Sequence, residues 1–241
     1  METQLIERPI IRNKNRVEIQ KICPSIHKNE LKITNNNSVL GISINSPSTT
    51  GNKISAIFDF LNKRGLTEIN LLIGDSIYKY TAMIKHRCNE RDGISIALED
   101  SEKLTQYYTS YENDHEKPYR LNFIPSSIIE KDESFSIFYE NLWSLFENNM
   151  TFRQSVLNFS EYYFSRVSSQ SIMNDDFYKY AHKYLIEELS IFAILNQKGY
   201  NILIYPGIIQ TIYDIITMEN SYLSKLFKDY IFVSLRIKGK A

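Results

Sequence analysis

One serine, a tyrosine–glutamate pair and a second tyrosine carry side chains whose types and spacing could do chemistry. Ser43 ends the predicted buried strand 38–43. In an α/β sheet the carboxyl ends of the strands form the crevice in which ligands bind. Gly41, two residues earlier, would let a substrate approach the backbone. Ser43 is therefore a candidate nucleophile, and the alternative is a loop serine that caps the next helix.

Tyr184 and Glu188 are spaced four residues apart in a predicted helix at 175–198. This spacing places both side chains on one helix face. A phenol and a carboxylate on one face can bind an ammonium group and pass a proton. The alternative is a partly buried tyrosine beside a solvated glutamate. Glu187 falls on a different face, where we expect a solvated charge.

Tyr205 comes directly before Pro206 and Gly207, at the end of the predicted strand 201–205. Proline ends a strand because it has no N–H group to donate to the ladder. If the strands are parallel, Tyr205 lies at the same edge of the sheet as Ser43. Ordinary turn chemistry would also explain the proline and the glycine.

The elements that must position these residues alternate along the chain. Strands are predicted at 38–43, 68–73, 119–124, 201–205 and 230–237, and helices at 49–64, 76–89, 95–113, 135–146, 152–159, 175–198 and 208–217. Strands that alternate with helices are typical of a parallel sheet with right-handed crossovers. The sequence therefore predicts one α/β domain over 37–241, with its sheet flanked by helices, after a polar segment at 1–36.

The composition is that of a globular chain of 241 residues, with 43% hydrophobic and 23% charged residues. The formal net charge is zero, so no overall basic field indicates nucleic acid, although a local basic patch is compatible with this balance. Cys23 and Cys88 form neither a CxxC pair nor a metal-ligand spacing. We expect a cytoplasmic monomer with reduced thiols, no metal, no cofactor and no contact with membranes.

Three short motifs resemble the cyclodipeptide synthases, and they occur in the order of that family. They are Gly-Ile-Ser at 41–43, Tyr-Leu-Ile-Glu-Glu at 184–188 and Tyr-Pro at 205–206. The resemblance extends from about residue 37 to the end of the chain. It implies a Rossmann-like domain similar to the catalytic domain of class I aminoacyl-tRNA synthetases. It also implies an enzyme that uses two aminoacyl-tRNAs, without ATP, to form a cyclic dipeptide.

The resemblance also implies a role for each matching residue. Ser43 matches the nucleophile that carries first an aminoacyl and then a dipeptidyl ester, and Gly41 matches the glycine beside it. Tyr184 matches the tyrosine that holds the amine and relays a proton. Glu188 matches the carboxylate that binds the ammonium group. Tyr205 matches the second tyrosine of the substrate site.

The Tyr205–Pro206 pair resembles the branch of the family whose three marker residues are any residue, tyrosine and proline. The first marker position falls on Ser46, three residues after Ser43, and Asn45 lies one residue earlier. The resemblance places the first aminoacyl pocket at three further residues, Val39, Leu72 and Ile191. All three are apolar.

The surface that would bind tRNA departs from the family pattern. Many members carry a strongly basic helix after the second strand, whereas 95–111 in this chain holds Lys103 among acidic residues. The nearest basic cluster comes earlier and comprises Lys79, Lys85, Arg87 and Arg91. A second cluster comprises Arg12, Lys14, Arg16 and Lys21. We expect the earlier cluster to contact phosphates, with salt-dependent affinity, and a solvated face is the alternative for both.

Two other classes of protein remain open from the residues alone. A serine acyltransferase or hydrolase would need a histidine near Ser43. None of the four histidines, which are His27, His86, His115 and His182, lies in a recognisable motif. A non-catalytic, synthetase-like module that holds tRNA would not need Ser43, Tyr184 or Glu188.

Overall fold

This computed structural model describes residues 15–25, 31–114, 117–169, 172, 175–207 and 209–239. The strands are β1 (Arg16–Cys23), β2 (Ser38–Ile42), β3 (Glu68–Ile73), β4 (Arg120–Pro125), β5 (Ile202–Pro206) and β6 (Ile231–Lys238). The helices are α1 (Gly51–Asn62), α2 (Tyr78–His86), α3 (Glu90–Asp114), α4 (Ser126–Ile129), α5 (Ser134–Asn148), α6 (Met150–Val167), α7 (Lys179–Gln197), α8 (Gln210–Ile216) and α9 (Ser221–Leu226).

The described strands form one six-stranded sheet in the order β1-β6-β5-β2-β3-β4. The five strands from β6 to β4 in this order are parallel to one another. Only β1, at the edge of the described sheet, pairs antiparallel, and its partner is β6. The chain proceeds from β2 to β3 and β4 on one side, and later returns to β5 and β6 on the other. The carboxyl end of β2 is therefore the point where the strand order reverses, and ligands bind at such switch points in open α/β sheets.

Alternating side chains of the central strands point to opposite faces of the sheet, and each face has its own core. Val39 and Leu72 belong to the core that includes residues of α5, α6, α7 and α8. Leu40 and Leu71, one residue away in each case, belong to the core that includes α1 and α3. Apolar side chains of β2 and β3 pack into both cores, which fixes the register of the two strands. Because side chains alternate along a strand, this register directs Ser43, the residue after β2, to the same face as Val39 and Gly41.

The predicted α/β fold with a mostly parallel sheet is confirmed. Each predicted strand lies within about two residues of an observed one. No strand is predicted in 1–36, yet Arg16–Cys23 forms β1 and pairs with β6 along its length. The polar positions of β1 face outward while Ile19 and Ile22 are buried, as expected for an edge strand with one solvated face. Among the described helices, none has an apolar stretch long enough to cross a bilayer.

Candidate active site

Ser43 lies directly after β2, in a loop that closes back on the strand end. The Thr49 hydroxyl donates hydrogen bonds to the carbonyl oxygens of Ser43 and Ser46, both at 2.9 Å. Asn45 adopts a left-handed backbone conformation with φ of 59°. Its side chain donates hydrogen bonds to Tyr78 at 2.9 Å and to Asp100 at 2.6 Å. These bonds hold the Ser43 side chain at the carboxyl edge of the sheet, as the sequence predicts.

Tyr205 reaches across from β5 and contacts both Gly41 and Ser43. The hydroxyl groups of Tyr205 and Ser43 form a short hydrogen bond. A Cβ atom on Gly41 would lie 2.8 Å from a ring carbon of Tyr205. The absence of a side chain at Gly41 therefore makes room for the tyrosine ring, rather than only for a substrate as the sequence analysis expects. The prediction that Tyr205 and Ser43 share one edge is confirmed.

Tyr184 and Glu188 lie on the face of α7 that meets this edge. The Tyr184 hydroxyl donates a hydrogen bond to Glu188 Oε1 at 3.4 Å. The second carboxylate oxygen, Oε2, is buried and has no hydrogen-bond partner among the described residues. Burial raises the pKa of the Glu188 carboxyl to about 8, and the bond from Tyr184 opposes that rise. A buried carboxylate with one unpartnered oxygen is a site that a cationic ligand group would complete.

Aromatic rings of α6 support Tyr184 from the other side. The Tyr163 ring stacks on the Tyr184 ring with a centroid distance of 4.6 Å, and Phe159 stacks at 6.1 Å. The Tyr163 hydroxyl is hydrogen-bonded to Thr81 of α2. Burial raises the pKa of the Tyr184 hydroxyl well above its usual value, and the charge of Glu188 raises it further. Tyr184 is therefore a neutral donor in this site at ordinary pH.

A cavity of about 820 Å³ opens over these residues. Eight of the sequence-predicted residues line it: Gly41, Ser43, Ser46, Leu72, Tyr184, Glu188, Tyr205 and Pro206. This volume lies within the usual range of small-molecule sites. Val39 and Ile191 do not line the cavity, because both are buried in the apolar core behind it. Their assignment to the first aminoacyl pocket is therefore corrected.

A polar stripe on α6 at the mouth of the cavity is not predicted from the sequence. Asn158, Tyr162 and Arg166 line the cavity and follow one another at intervals of four residues. Burial raises the pKa of the Tyr205 hydroxyl to about 12, and the positive charge of Arg166 is among the contributions that oppose the rise. The spacing of four residues between Asn158, Tyr162 and Arg166 is the signal in the sequence that could have indicated this stripe.

Glu187 is buried, and its prediction as a solvated charge was wrong. Its two oxygens each accept a hydrogen bond from the Lys79 ammonium group at 3.1 Å, and Oε1 also accepts one from Tyr80 at 2.5 Å. The exposed fractions of the Lys79 and Glu187 side chains are only 12% and 10%. Burial raises the pKa of Glu187, and the charge of Lys79 opposes the rise. This ion pair joins α2 to α7 beside the site.

The predicted basic cluster is divided by the fold. Lys79 is held by Glu187, and Arg87 forms an ion pair with Asp175 and a hydrogen bond to Ser168. Neither cation is therefore presented as a free group for a phosphate. Lys85 and Arg91 are exposed and keep that role as a prediction. In the alternative cluster, Arg12 and Lys14 lie outside the described residues, and Arg16 is exposed on β1.

Two histidines lie among the described residues, and neither lines the cavity. His182 Nδ1 is hydrogen-bonded to the Ser160 hydroxyl at 2.8 Å, and burial lowers the pKa of its imidazole. His86 is exposed at the end of α2. The described residues contain no group of His, Cys, Asp and Glu that could hold a metal ion. Ser43 thus has a tyrosine hydroxyl as its hydrogen-bond partner in this site.

The comparisons with known proteins place the fold. No protein-family model matches the chain, and no curated protein matches its sequence. A solved cyclodipeptide synthase from Fluoribacter dumoffii matches with a TM-score of 0.77 and 14% identity, over 94% of this chain and 100% of that one. One from Staphylococcus haemolyticus matches with a TM-score of 0.67 and 14% identity, over 94% and 100% of the two chains.

A tyrosyl-tRNA synthetase from Archaeoglobus fulgidus matches with a TM-score of 0.50 and 15% identity, over 83% of this chain and 54% of that one. The chain therefore has the fold that solved cyclodipeptide synthases share, and this fold is related to that of the class I aminoacyl-tRNA synthetases. The expected likeness to a synthetase catalytic domain is confirmed. At these identities the likeness concerns the fold, and the site chemistry rests on the residues described above.

Proposed function

We propose that this chain is a cyclodipeptide synthase that joins the aminoacyl groups of two aminoacyl-tRNAs. One observation carries the proposal. Ser43 and Glu188 line one cavity at the switch point of a sheet with this fold, and one buried carboxylate oxygen of Glu188 has no hydrogen-bond partner among the described residues. Nucleophilic catalysis needs the hydroxyl, and an aminoacyl ester brings the ammonium group that the carboxylate lacks.

The first step forms an ester on Ser43. The Oγ atom attacks the carbonyl carbon of the first aminoacyl-tRNA, the bond from that carbon to the ribose oxygen breaks, and the ribose oxygen receives the serine proton. An aminoacyl ester is already activated, so the transfer requires no nucleotide. The hydrogen bond between Ser43 and Tyr205 orients the attacking oxygen. Tyr205 is therefore a substrate-site residue that contacts the attacking oxygen of Ser43.

The second step forms the peptide bond. The amine of the Ser43-bound aminoacyl group attacks the ester carbonyl of the second aminoacyl-tRNA, and the second ribose oxygen leaves with a proton. Glu188 holds this amine as an ammonium group and accepts the proton that it must lose before it attacks. Its raised pKa of about 8 makes it a suitable base at neutral pH. The Tyr184 hydroxyl donates a hydrogen bond to this carboxylate, and its oxygen can accept one from the ammonium group.

The last step closes the ring and frees the enzyme. The terminal amine of the dipeptidyl ester attacks the carbonyl carbon bound to Ser43, and the Oγ atom leaves and regains its proton. The products are a cyclic dipeptide and two uncharged tRNAs. Tyr205, Pro206 and Ser46 would place the enzyme in the branch marked by tyrosine and proline, and Leu72 contributes to the wall of the aminoacyl pocket.

A product assay tests this proposal. Aminoacyl-tRNAs are prepared, purified away from ATP and mixed with the protein, and cyclic dipeptides are measured by mass spectrometry. We expect product from the natural sequence and none from Ser43→Ala. Ser144→Ala is a matched control, since Ser144 is exposed on α5 and lies outside the cavity. Product from Ser43→Ala at the natural rate, or none from the natural sequence, contradicts the proposal.

The alternative of a serine hydrolase has less support. A catalytic triad needs a histidine in contact with the serine. Of the described residues that line the cavity, none is a histidine. The alternative of a module that only holds tRNA predicts that Ser43→Ala and Glu188→Gln bind and release RNA as the natural sequence does and that no variant forms product.

A further inference from the structure

The polar stripe of α6 presents an aromatic ring and a cation to solvent at the mouth of the cavity. Tyr162 is 62% exposed, although tyrosine is a large and partly apolar side chain. The Arg166 guanidinium lies 5.5 Å from the centre of the Tyr162 ring. Both residues line the same cavity as Ser43. Their chemistry is not used by the three transfer steps.

The charge at the cavity mouth is arranged to receive an anion at Arg166. Among the described residues that line the cavity, Arg166 supplies the one full positive charge, whereas Glu188 and Asp214 are acidic. Asp214 accepts a hydrogen bond from Gln210 at 2.8 Å on α8. Within the described part of the chain, no carboxylate forms an ion pair with Arg166. The guanidinium donates a hydrogen bond to the Tyr162 hydroxyl at 3.4 Å, and its remaining N–H groups can bind a ligand.

An exposed aromatic ring beside a guanidinium that forms no ion pair among the described residues is an arrangement that binds single-stranded nucleic acid. Bases stack on the ring, and the cation contacts the backbone phosphates. We propose that Tyr162 and Arg166 bind the single-stranded 3′ end of the aminoacyl-tRNA, the ring by stacking on a base and the guanidinium by contacting a phosphate. The inference rests on the proposed function, because that function requires the 3′ end to reach Ser43.

The position of the stripe fits this role. Phe159 and Tyr163, one residue further along α6, face inward and support Tyr184. Tyr162 and Arg166 are therefore directed outward beside the same opening, where the nucleotides next to a bound aminoacyl group must pass. A nucleotide held there would fix the ester bond over Ser43. Tyr162 and Arg166 are positioning residues, since neither touches the reacting carbonyl.

Four variants test the proposal. Tyr162→Ala removes the stacking surface and Tyr162→Phe keeps it. Arg166→Met removes the charge, and Arg64→Met is the matched control. Arg64 is exposed and lies 4.7 Å from the ring of Phe60, four residues earlier, so the same pairing occurs outside the cavity. We expect KM for aminoacyl-tRNA to rise about tenfold in Tyr162→Ala and in Arg166→Met, with a smaller change in kcat. Tyr162→Phe and Arg64→Met should match the natural sequence.

A binding measurement separates this inference from the proposed function, because it needs no turnover. The probe is an RNA hairpin that carries no aminoacyl group and has a single-stranded ACCA end. Its last base is replaced by 2-aminopurine, whose fluorescence falls when the base stacks on an aromatic ring. We expect quenching by the natural sequence and by Tyr162→Phe but not by Tyr162→Ala. Arg166→Met should lower the salt slope of binding by about 0.7. The inference is overturned if the natural sequence does not quench the probe. It is also overturned if Tyr162→Ala has the same quenching and the same KM as the natural sequence. Quenching without any cyclic dipeptide would refute the proposed function alone.

Discussion

Glu188→Gln should make the folded protein more stable at about pH 8 while it removes activity. The pKa of the Glu188 carboxyl is raised by burial to about 8, whereas the same group titrates near 4.5 when it is not buried. Between these values the folded protein holds a proton that the unfolded chain has released, so stability falls as pH rises. From about pH 5 to pH 8 this loss is roughly 3 to 4 kcal/mol. Glutamine does not titrate and avoids the loss.

Glu187→Gln provides the matched control, because the neighbouring carboxylate has a charged partner. This change leaves the Lys79 ammonium group buried without its carboxylate, and Lys79 is only 12% exposed. Breaking such a pair from one side costs about 3 kcal/mol. The two substitutions at adjacent positions of α7 should therefore shift the free energy of unfolding in opposite directions at about pH 8.

Urea unfolding measures both effects through the fluorescence of Trp143, which is the single tryptophan of the chain. The free energy of unfolding of each variant is compared with that of the natural sequence from about pH 5 to pH 8 at constant ionic strength. The difference for Glu188→Gln should grow with pH in favour of the variant. If it is the same throughout this range, Glu188 is not a buried carboxyl with a raised pKa and the reasoning fails.

Further variants test the placement of the other residues. Ile191→Ala should lower the free energy of unfolding by about 3 kcal/mol and leave the set of products unchanged, whereas Leu72→Ala should change that set, as measured by mass spectrometry. The double variant Lys85→Met and Arg91→Met should raise KM for aminoacyl-tRNA and weaken its salt dependence at an unchanged melting temperature. Arg87→Met should instead lower the free energy of unfolding by about 2 kcal/mol, because its buried carboxylate loses its partner, and an unchanged melting temperature would contradict that ion pair.

The sequence predicts the central strands and the shared edge of Ser43 and Tyr205, because apolar runs and the residues that end them are local signals. The edge strand β1 escapes prediction, since its alternating polar residues resemble a solvated segment until β6 pairs with it. Glu187 escapes for another reason. Its place on the helix is local, but the lysine that neutralises it comes from α2, about a hundred residues earlier.

Val39 and Ile191 show the same limit at the pocket. An apolar residue in a buried strand or helix can face either the core or a cavity, and periodicity alone does not distinguish the two. Leu72 and Val39 belong to the same core cluster, yet Leu72 lines the cavity and Val39 does not. Leu72 pairs with Gly41, two residues nearer to the carboxyl edge than Val39, and this register is a property of the assembled sheet.

The covalent ester on Ser43 is the intermediate on which the whole mechanism depends. Intact-mass spectrometry of the protein mixed with a single aminoacyl-tRNA and quenched in acid measures it directly. We predict an added mass of one aminoacyl group, located on the peptide that contains Ser43 and absent from Ser43→Ala. An unmodified protein that nevertheless forms cyclic dipeptide, or an adduct on a different residue, would contradict the account.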